Sequence, residues 1–213
     1  KSVEFGNHFN NAWWFEPACL GHYPETGLKT YAEHMPEFPD SDFNTIKQPI
    51  DFVGLNIYQG GVVKAGADGE PEHVPHAVGH PITCFDWPVT PAALRWGPYW
   101  AHKHFGLPVV ITENGLASMD WVGLDGRVRD GQRIDFTRQY LLELEKAIAD
   151  GTEVDGYFHW SIMDNFEWGE GYTKRFGLIH VDYQTQVRTL KDSARWYRTI
   201  IESNGAKLAE SPA

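Results

Sequence analysis

Three short apolar runs recur along the chain, and each is followed by a segment with a different periodicity. The runs are DFVGLNIY (51–58), PVVITE (108–113) and VDGYFHW (154–160). Apolar runs of this length, bounded by turn residues, predict buried strands. Because each run is followed by a segment of helical spacing, the pattern predicts parallel β/α units.

Two later segments have the spacing of amphipathic helices, and both end on glycine, a common helix terminator. They are TPAALRWGPYWAHKHFG (90–106) and RDGQRIDFTRQYLLELEKAIADG (129–151). One face of the second is predicted to carry Phe136 or Thr137, Tyr140, Leu141, Leu144 and Ile148. A helix over 2–16, a short hairpin strand around 178–183 and a last helix from about Lys191 complete the prediction.

Three β/α units are too few to close an eight-stranded barrel, which typically needs about 250 residues. This chain has 213 residues. Two architectures fit: a small open α/β sheet, or the C-terminal part of a barrel whose beginning lies elsewhere. The Gly-, Pro- and His-rich stretch 64–81 predicts an excursion at the surface and not another β/α unit.

The residues that most often bind metals do not form a site in this sequence. His73, His76 and His80 are interrupted by prolines and lack a spacing that would bring them together, so they are interpreted as loop residues. Cys19 and Cys84 have neither metal-ligand spacing nor the density of a disulfide scaffold. They are interpreted as buried free thiols, and no metal or other cofactor is predicted.

Composition narrows the class of ligand. Eighteen Lys and Arg against 29 Asp and Glu give a formal charge of −11, which disfavours nucleic acid and anionic membranes as partners. A neutral ligand fits better. Aromatic residues make up 14% of the chain and include nine tryptophans. Some of them could face a flat polar molecule such as a sugar, although all nine could also simply pack in the core.

The ends of the chain carry a weaker signal about location. The start, KSVEFGNHFNNAWW, lacks the continuous apolar core of a secretion signal, and no later stretch has the length needed to span a bilayer. A cytoplasmic protein is therefore expected. Because the first residue is Lys1 and not Met, the sequence also allows for a segment upstream.

Polar and aromatic side chains stand at the end of each predicted strand. Asn56 and Tyr58 end the first strand, Glu113 and Asn114 end the second, and Trp160 ends the third. In parallel β/α folds the carboxyl edge of the sheet is where ligands bind. A single acid at the start of a loop is usually solvated or caps a helix, but three strands that obey the same rule indicate a shared site.

Four stretches resemble one enzyme family. VVITENGL is similar to the nucleophile strand of glycoside hydrolase family 1, the β-glucosidase family, and DFVGLNIY is similar to the preceding strand. Residues 156–183 resemble the family's last strand and its sugar-binding loop, and WWFEPACLGHYPE (13–25) resembles the segment before the sixth strand. The resemblance implies that 1–213 is a single domain, the C-terminal part of a (β/α)₈ barrel with strands six to eight and their helices.

The resemblance also implies a reaction. The chain would belong to a retaining β-glucosidase that hydrolyses terminal non-reducing β-D-glucosyl residues, with Glu113 as the nucleophile that forms a covalent glycosyl-enzyme. Tyr58 would donate a hydrogen bond to this carboxylate, and Asn56 would help to order the site. His159, where the family often has an apolar or aromatic residue, is interpreted as pointing away from the site.

Five more residues would bind the sugar by analogy with the family. Trp160 and Trp168 would contact it by stacking and by indole N–H donation, and Glu167 would accept hydrogen bonds from the hydroxyls at C4 and C6. A carboxylate at that place would repel a phosphate, so an unphosphorylated sugar is expected. Phe176 would close the far side of the pocket, and Trp87 would lie in the aglycone platform.

One part of the chemistry is missing from the sequence. Retaining hydrolysis needs a second carboxyl about 5 to 5.5 Å from the nucleophile. The family supplies it from an NEP motif, which does not occur in these 213 residues. Glu167 and Glu170 are poor substitutes, because the resemblance places them on the sugar side and further along the same loop. The expected partners are therefore a β-glucoside or oligosaccharide substrate and a separate N-terminal portion of the same enzyme.

Two other functions remain open at this point. A non-catalytic sugar-binding relative would keep the aromatic pocket without turnover, although it would have no need for a carboxylate under the anomeric carbon. An inactive fragment would expose the edges of its sheet and would tend to aggregate.

Overall fold

The computed structural model describes residues 11–210. Its helices are α1 (Trp13–Cys19), α2 (Glu25–Thr30), α3 (Phe43–Ile46), α4 (Ala93–Phe105), α5 (Gly131–Ala149) and α6 (Asp192–Glu202). Its strands are β1 (Val53–Asn56), β2 (Val62–Ala65), β3 (Pro71–Val74), β4 (Val109–Asn114), β5 (Val154–His159), β6 (Ile179–Val181) and β7 (Arg188–Leu190). Single 3₁₀ turns occur at Ala32–His34, Asp40–Asp42 and Trp168–Glu170. Most of the helix predicted over 2–16 lies outside the described residues.

The chain divides into two compact units. The first unit contains residues 11–51 and 61–76, and the second contains 52–60 and 77–210. The second unit holds the predicted parallel strands and the residues with candidate chemistry. The proposal of one domain over 1–213 stays a prediction.

Aromatic rings form the centre of the first unit. The ring of Trp13 stacks on Tyr23 with centroids 4.6 Å apart and meets Tyr31 edge-on at 5.3 Å. Phe38 and Phe43 meet the ring of Tyr23 edge-on. Offset and edge-on contacts of this kind stabilise a small core beyond the area they bury.

The stretch 64–81 is mostly exposed, which confirms the predicted surface excursion. It also contains secondary structure that the sequence analysis did not assign. Strands β2 and β3 pair antiparallel, with Val62 opposite Val74 and Ala65 opposite Pro71. Gly69 takes a positive φ of 83° in the turn, a conformation that glycine adopts without steric cost. Since Gly, His and Pro interrupt the alternation of apolar residues here, the period-2 signal of a hairpin is weak.

The second unit is built on a parallel sheet with the order β1-β4-β5. Val53 pairs with Val109, which in turn pairs with Val154, so the three strands start in register and end at the same edge. The prediction of three parallel strands is confirmed. Helix α4 connects β1 to β4, and α5 connects β4 to β5, as the two predicted helical segments require.

Only one face of this sheet is covered within the described residues. Val109 and Ile111 are fully buried on that face, in a core with residues of α4 and α5. That core also contains Leu94, Ala101, Phe136, Tyr140 and Leu144. On the opposite face Phe52 is 48% exposed and Phe158 is 61% exposed. Side chains alternate between the faces of a strand, so this pattern marks a sheet with one open face.

Helix α5 departs from the prediction at its last turn. Ile148 was expected on the buried face but is 51% exposed, whereas Ala147 is fully buried. The buried stripe advances by three residues from Leu144 and not by four, because an α-helix has 3.6 residues per turn and the stripe drifts along it. The predicted glycine terminators are confirmed by positive φ angles of 68° at Gly106 and 89° at Gly151.

The end of the chain follows the predicted order. Strand β6 pairs antiparallel with β7, with Ile179 opposite Leu190, and α6 begins directly after Lys191.

The two cysteines agree with the prediction only in part. Cys19 and Cys84 are free, but both are half-buried, so the prediction of buried thiols was wrong. No helix between residues 11 and 210 is long and apolar enough to cross a membrane.

Candidate active site

Glu113 and Tyr58 meet at the carboxyl edge of the sheet. Glu113 is the fifth residue of β4, and Tyr58 follows the end of β1 by two residues. The Tyr58 hydroxyl donates a hydrogen bond of 2.7 Å to Oε2 of Glu113. Burial raises the pKa of the Tyr58 phenol, and the hydrogen bond and charge of Glu113 raise it further. The phenol therefore stays protonated and acts as a donor to the carboxylate.

Backbone contacts bring these two side chains together. The parallel ladder places Asn56 opposite Glu113, and the Ile57 N–H donates to the carbonyl of Glu113 at 2.9 Å. The hydroxyl of Tyr140, in α5, donates to the carbonyl of Tyr58 at 2.9 Å. The residue that carries the phenol is thus held by the sheet on one side and by a helix on the other.

Asn56 does not take part in this pair. Its Oδ1 accepts a hydrogen bond of 2.6 Å from the Thr112 hydroxyl, and both residues are exposed. Both project from the open face of the sheet, whereas Glu113 lies further along β4. Among the described contacts, none joins Asn56 to the carboxylate of Glu113. The role of Asn56 in ordering the site therefore stays a prediction.

An aromatic cluster surrounds the phenol of Tyr58. Its ring centroid lies 5.0 Å from Trp87 and 6.1 Å from Phe176. Phe85 completes the cluster, 4.4 Å from Trp87 and 5.7 Å from Phe176. Phe85 was not predicted as a site residue, although it lies two residues before Trp87. Phe176 is only 1% exposed, so in this structure it supports Tyr58 and Trp87 and presents little surface to a ligand.

The loop after β5 brings the remaining predicted residues to the same edge. The Trp160 N–H donates to the carbonyl of Asn114 at 2.9 Å, which joins the end of β5 to the end of β4. The charge of Glu167 also contributes to the raised pKa of Tyr58. Asn165 donates to Glu167 Oε2 at 3.4 Å. Trp168 follows with a φ of +43° and is 82% exposed.

Beneath these loops lies a cluster of buried charges that the sequence analysis did not find. It contains three acids and three bases, namely Asp120, Asp130, Asp164, Arg133, Arg175 and Lys191. Each acid has a basic partner. Because the numbers of acids and bases are equal, their formal charges cancel. Its members come from the loops after β4 and β5, from the residues just before α5 and α6, and from the first turn of α5. The cluster therefore ties both loops of the candidate site to the helices.

Lys191 is the centre of the cluster. Its Nζ donates to Oδ2 of Asp120 at 2.6 Å and to Oδ1 of Asp164 at 2.8 Å. Burial and the charge of Arg133 lower the pKa of Lys191, and the two carboxylates act against this. Although burial raises the pKa of Asp120, the charges of Arg133 and Lys191 bring it below its ordinary value.

His159 lies in the interior and not among the ligand-binding candidates. Its ring is 6.1 Å from that of Tyr197 in α6, and both ring nitrogens are buried. Burial lowers the pKa of His159 to about 3, and the charges of Arg133 and Lys191 add to this effect. The histidine is therefore neutral at physiological pH.

In residues 11–210 no cluster of three or more His, Cys, Asp or Glu could hold a metal ion.

The family model of glycosyl hydrolase family 1 matches residues 1–206. The chain belongs to this family. Beta-glucosidase A of Thermotoga maritima is 42% identical over 207 residues, which are 96% of this chain and 46% of that protein. A bifunctional beta-D-glucosidase/beta-D-fucosidase of Bifidobacterium breve is 38% identical over 220 residues, which are 92% of this chain and 47% of that protein.

The solved structures give the same result. The Thermotoga maritima β-glucosidase in complex with glucoimidazole superimposes with a TM-score of 0.87 at 42% identity, over 96% of this chain and 46% of that chain. The chain thus spans about half the length of the family members it matches. The fold of the family is a (β/α)₈ barrel, of which this chain provides less than half the length.

Proposed function

We propose that this chain is the C-terminal part of a retaining β-glucosidase, with barrel strands six to eight, and that Glu113 is its nucleophile. The observation that carries the proposal is the 2.7 Å hydrogen bond from Tyr58 to Glu113 at the carboxyl edge of three parallel strands. Relatives named β-glucosidases support the substrate class. The proposed place of action is the cytoplasm.

The chemistry follows from a carboxylate that a hydrogen bond holds in place. The phenol of Tyr58 holds one oxygen of Glu113, and the other oxygen attacks the anomeric carbon of a terminal β-D-glucosyl residue. The bond to the leaving group breaks as the ester to Glu113 forms, and water then hydrolyses this glycosyl-enzyme. The hydrogen bond from Tyr58 offsets part of the cost of burying the carboxylate.

The sugar is bound by the loop after β5 in this proposal. Trp160 and the exposed Trp168 offer faces and N–H donors to the pyranose, and Glu167 accepts from its hydroxyls. Trp87 contributes to the aglycone side. The Bifidobacterium breve relative is named for both glucosidase and fucosidase activity, and the Thermotoga maritima enzyme has been solved with a galacto-hydroximolactam. We therefore extend the substrate range to β-fucosides and β-galactosides.

The acid/base comes from outside this chain. No NEP motif occurs in the sequence, and the relatives are about twice as long as the chain. A retaining glycosidase needs that second carboxyl about 5 to 5.5 Å from its nucleophile. We propose that an N-terminal portion with strands one to five supplies it and that turnover requires both portions.

Covalent labelling tests the nucleophile. A 2-deoxy-2-fluoro-β-glucoside with a dinitrophenolate leaving group traps the glycosyl-enzyme, because the fluorine slows its hydrolysis and the leaving group needs no acid. In the complete enzyme, peptide mass mapping should find one sugar per chain on the peptide that contains Glu113. Glu113→Gln should abolish the label, whereas the matched variant Glu167→Gln should weaken binding and still take the label at Glu113.

Two results would contradict the proposal. A label on another carboxylate would remove Glu113 from its role. Reversible binding of the glucoside without any label would indicate a non-catalytic sugar-binding relative.

A further inference from the structure

The side chain of Asn114 connects all three strands of the sheet. It is fully buried. Its Nδ2 donates to the carbonyl of Ile57 at 2.8 Å, and its Oδ1 accepts from the hydroxyl of Tyr157 at 2.7 Å. Asn114 ends β4, Ile57 follows β1 and Tyr157 lies in β5, so one carboxamide links the central strand to both of its neighbours.

These bonds act directly on the residue before Tyr58. The N–H of Ile57 donates to the carbonyl of Glu113 at 2.9 Å, and its own carbonyl accepts from Asn114. Both polar groups of Ile57 are therefore held by the dipeptide that contains the proposed nucleophile. The phenol that reaches Glu113 comes from the next residue, so its position depends on this double contact.

The same dipeptide also fixes the start of the sugar-binding loop. The carbonyl of Asn114 accepts from the N–H of Trp160 at 2.9 Å. At the following position, a Cβ built on Gly115 would lie 2.0 Å from the carbonyl oxygen of Trp160. Only glycine allows the ends of β4 and β5 to approach this closely. Trp160 is thus placed relative to Glu113 by two backbone contacts, one with the carbonyl of Asn114 and one with Gly115.

We propose that Asn114 is a positioning residue for glycoside hydrolysis, which sets the Tyr58–Glu113 pair through its buried carboxamide and Trp160 through its backbone carbonyl. This inference rests on the proposed function. A buried amide that loses a partner carries a desolvation penalty, so the carboxamide favours the single orientation in which both bonds form. Catalytic groups need placement within about 0.5 Å. The bonds of Asn114 supply that restraint to two strands at once.

A purely structural role would explain burial and hydrogen bonding equally well, so the test must separate placement from stability. Tyr157→Phe is the variant of choice, because it removes the bond to Asn114 Oδ1 and keeps the ring. Asn114→Ala would remove both bonds but could prevent folding. The measurement is inactivation by the fluoroglucoside in the complete enzyme, which gives a rate constant for attack by Glu113 and a dissociation constant for the reversible complex.

Misplacement of Glu113 and Tyr58 should slow the attack of Glu113 on the fluoroglucoside more than it weakens the reversible binding of the sugar. We expect Tyr157→Phe to lower the inactivation rate constant by about ten- to a hundredfold, since an error of about 1 Å in a reacting group can cost a factor of about a hundred. The dissociation constant should change by less than a factor of about three. The matched control is Tyr197→Phe, which removes a phenol from a ring 6.4 Å from that of Tyr157 and does not touch Asn114. It should leave both constants unchanged.

A double-mutant cycle with Tyr58→Phe completes the test. If Asn114 acts through the Tyr58–Glu113 bond, Tyr157→Phe will cost much less in the Tyr58→Phe background than in the wild type. Equal costs in both backgrounds, or an unchanged rate constant in Tyr157→Phe, would overturn the inference. Failure of the wild-type enzyme to label Glu113 would instead overturn the proposed function, so the two failures can be told apart.

Discussion

Glu113 combines a strand position with a charge. A carboxylate is costly to remove from water unless hydrogen bonds replace the lost solvation. Here the hydrogen bond of 2.7 Å from the phenol of Tyr58 replaces part of the lost solvation. Glu113 is also only partly buried, because it lies at the edge of the sheet. The aromatic rings of Trp87 and Phe176 fix the phenol from the opposite side.

Gly115 is the position where one added methyl group should matter most. Its Cβ would overlap the carbonyl oxygen of Trp160 at 2.0 Å, so the backbones of β4 and β5 would have to separate. We expect Gly115→Ala to lower the free energy of unfolding by about 2 kcal/mol or more, measured by urea denaturation. Gly131→Ala is the matched control, because nothing lies within 4 Å of its Cβ. A similar free energy for both variants would show that the close approach is not needed.

Because the pKa of His159 is lowered by burial, the protein should become less stable at acid pH. The unfolded histidine binds a proton near its ordinary pKa of 6.5, whereas the buried ring binds one only near pH 3. The unfolded state therefore holds more protons between these values, and stability falls as the pH decreases through this window. The slope due to this group reaches about 1.4 kcal/mol per pH unit.

His159→Phe tests this prediction because it keeps a ring without the titration. Urea denaturation at pH 7, 5.5 and 4.5 should show a smaller loss of stability in the variant than in the wild type. Carboxylates titrate in both proteins, so the difference between the two slopes isolates the histidine. Parallel slopes would mean that His159 is not buried in its neutral form.

The ends of the predicted strands placed Glu113 and Tyr58 at one edge of the sheet, but only the resemblance to the family implied the bond between them. The motifs of the sequence could not show the contacts of Asn114, because its partners lie 57 and 43 residues away. They also implied a site role for Asn56 that its bond to Thr112 does not support. Hydrogen bonds between distant residues depend on register, which apolar periodicity leaves open at the level of single side chains.

At the scale of elements, the loops of the site depend on the neutral cluster around Lys191. These loops follow β4 and β5, and they contain Asp120 and Asp164. Because Lys191 lies just before α6 and bonds to both acids, this helix holds the two loops together. The bonds span 71 and 27 residues, which explains why no local pattern predicted them.

Removal of the central cation should destabilise the protein strongly. Lys191→Met keeps the length of the side chain but leaves the buried acids Asp120 and Asp164 without one of their partners. We expect a loss of about 3–5 kcal/mol in the free energy of unfolding, because a buried charge without a partner is costly. The control is Arg198→Gln in the same α6, whose exposed pair with Glu202 should leave stability unchanged. An equally small effect of both changes would show that the cluster does not hold the loops.

The helices and strands themselves were largely predictable. Long periodic segments gave α4 and α5, and buried apolar runs gave β1, β4 and β5. The hairpin of β2 and β3 was missed because prolines and glycines mask its alternation. The exposed Ile148 shows a second limit, since the last turn of a helix can leave the buried face while the apolar spacing continues.

At the scale of the whole molecule, the open face of the sheet indicates how the chain should behave by itself. Phe52 and Phe158 are exposed there, and β1 and β5 are the edge strands of the sheet within the described residues. Apolar surface and unpaired edges favour association between chains. The alternative of an inactive fragment, left open by the sequence, carried the same expectation.

Sedimentation velocity tests this expectation. The chain alone should show larger species as its concentration rises, and addition of the N-terminal portion should replace them with a single complex. Phe158→Thr should reduce the self-association. The matched variant Trp96→Thr removes an exposed aromatic ring from α4 and should not reduce it. A monomer at all concentrations would show that the open face does not drive association.

The distribution of the cysteines makes the two compact units separately addressable. The sequence contains two cysteines, with Cys19 in the first unit and Cys84 in the second. Burial raises the pKa of Cys19, so a maleimide dye reacts slowly there near neutral pH and faster in mild alkali. The two cysteines can carry a donor and an acceptor dye without any engineered residue. Energy transfer between them would measure the distance between Cys19 and Cys84.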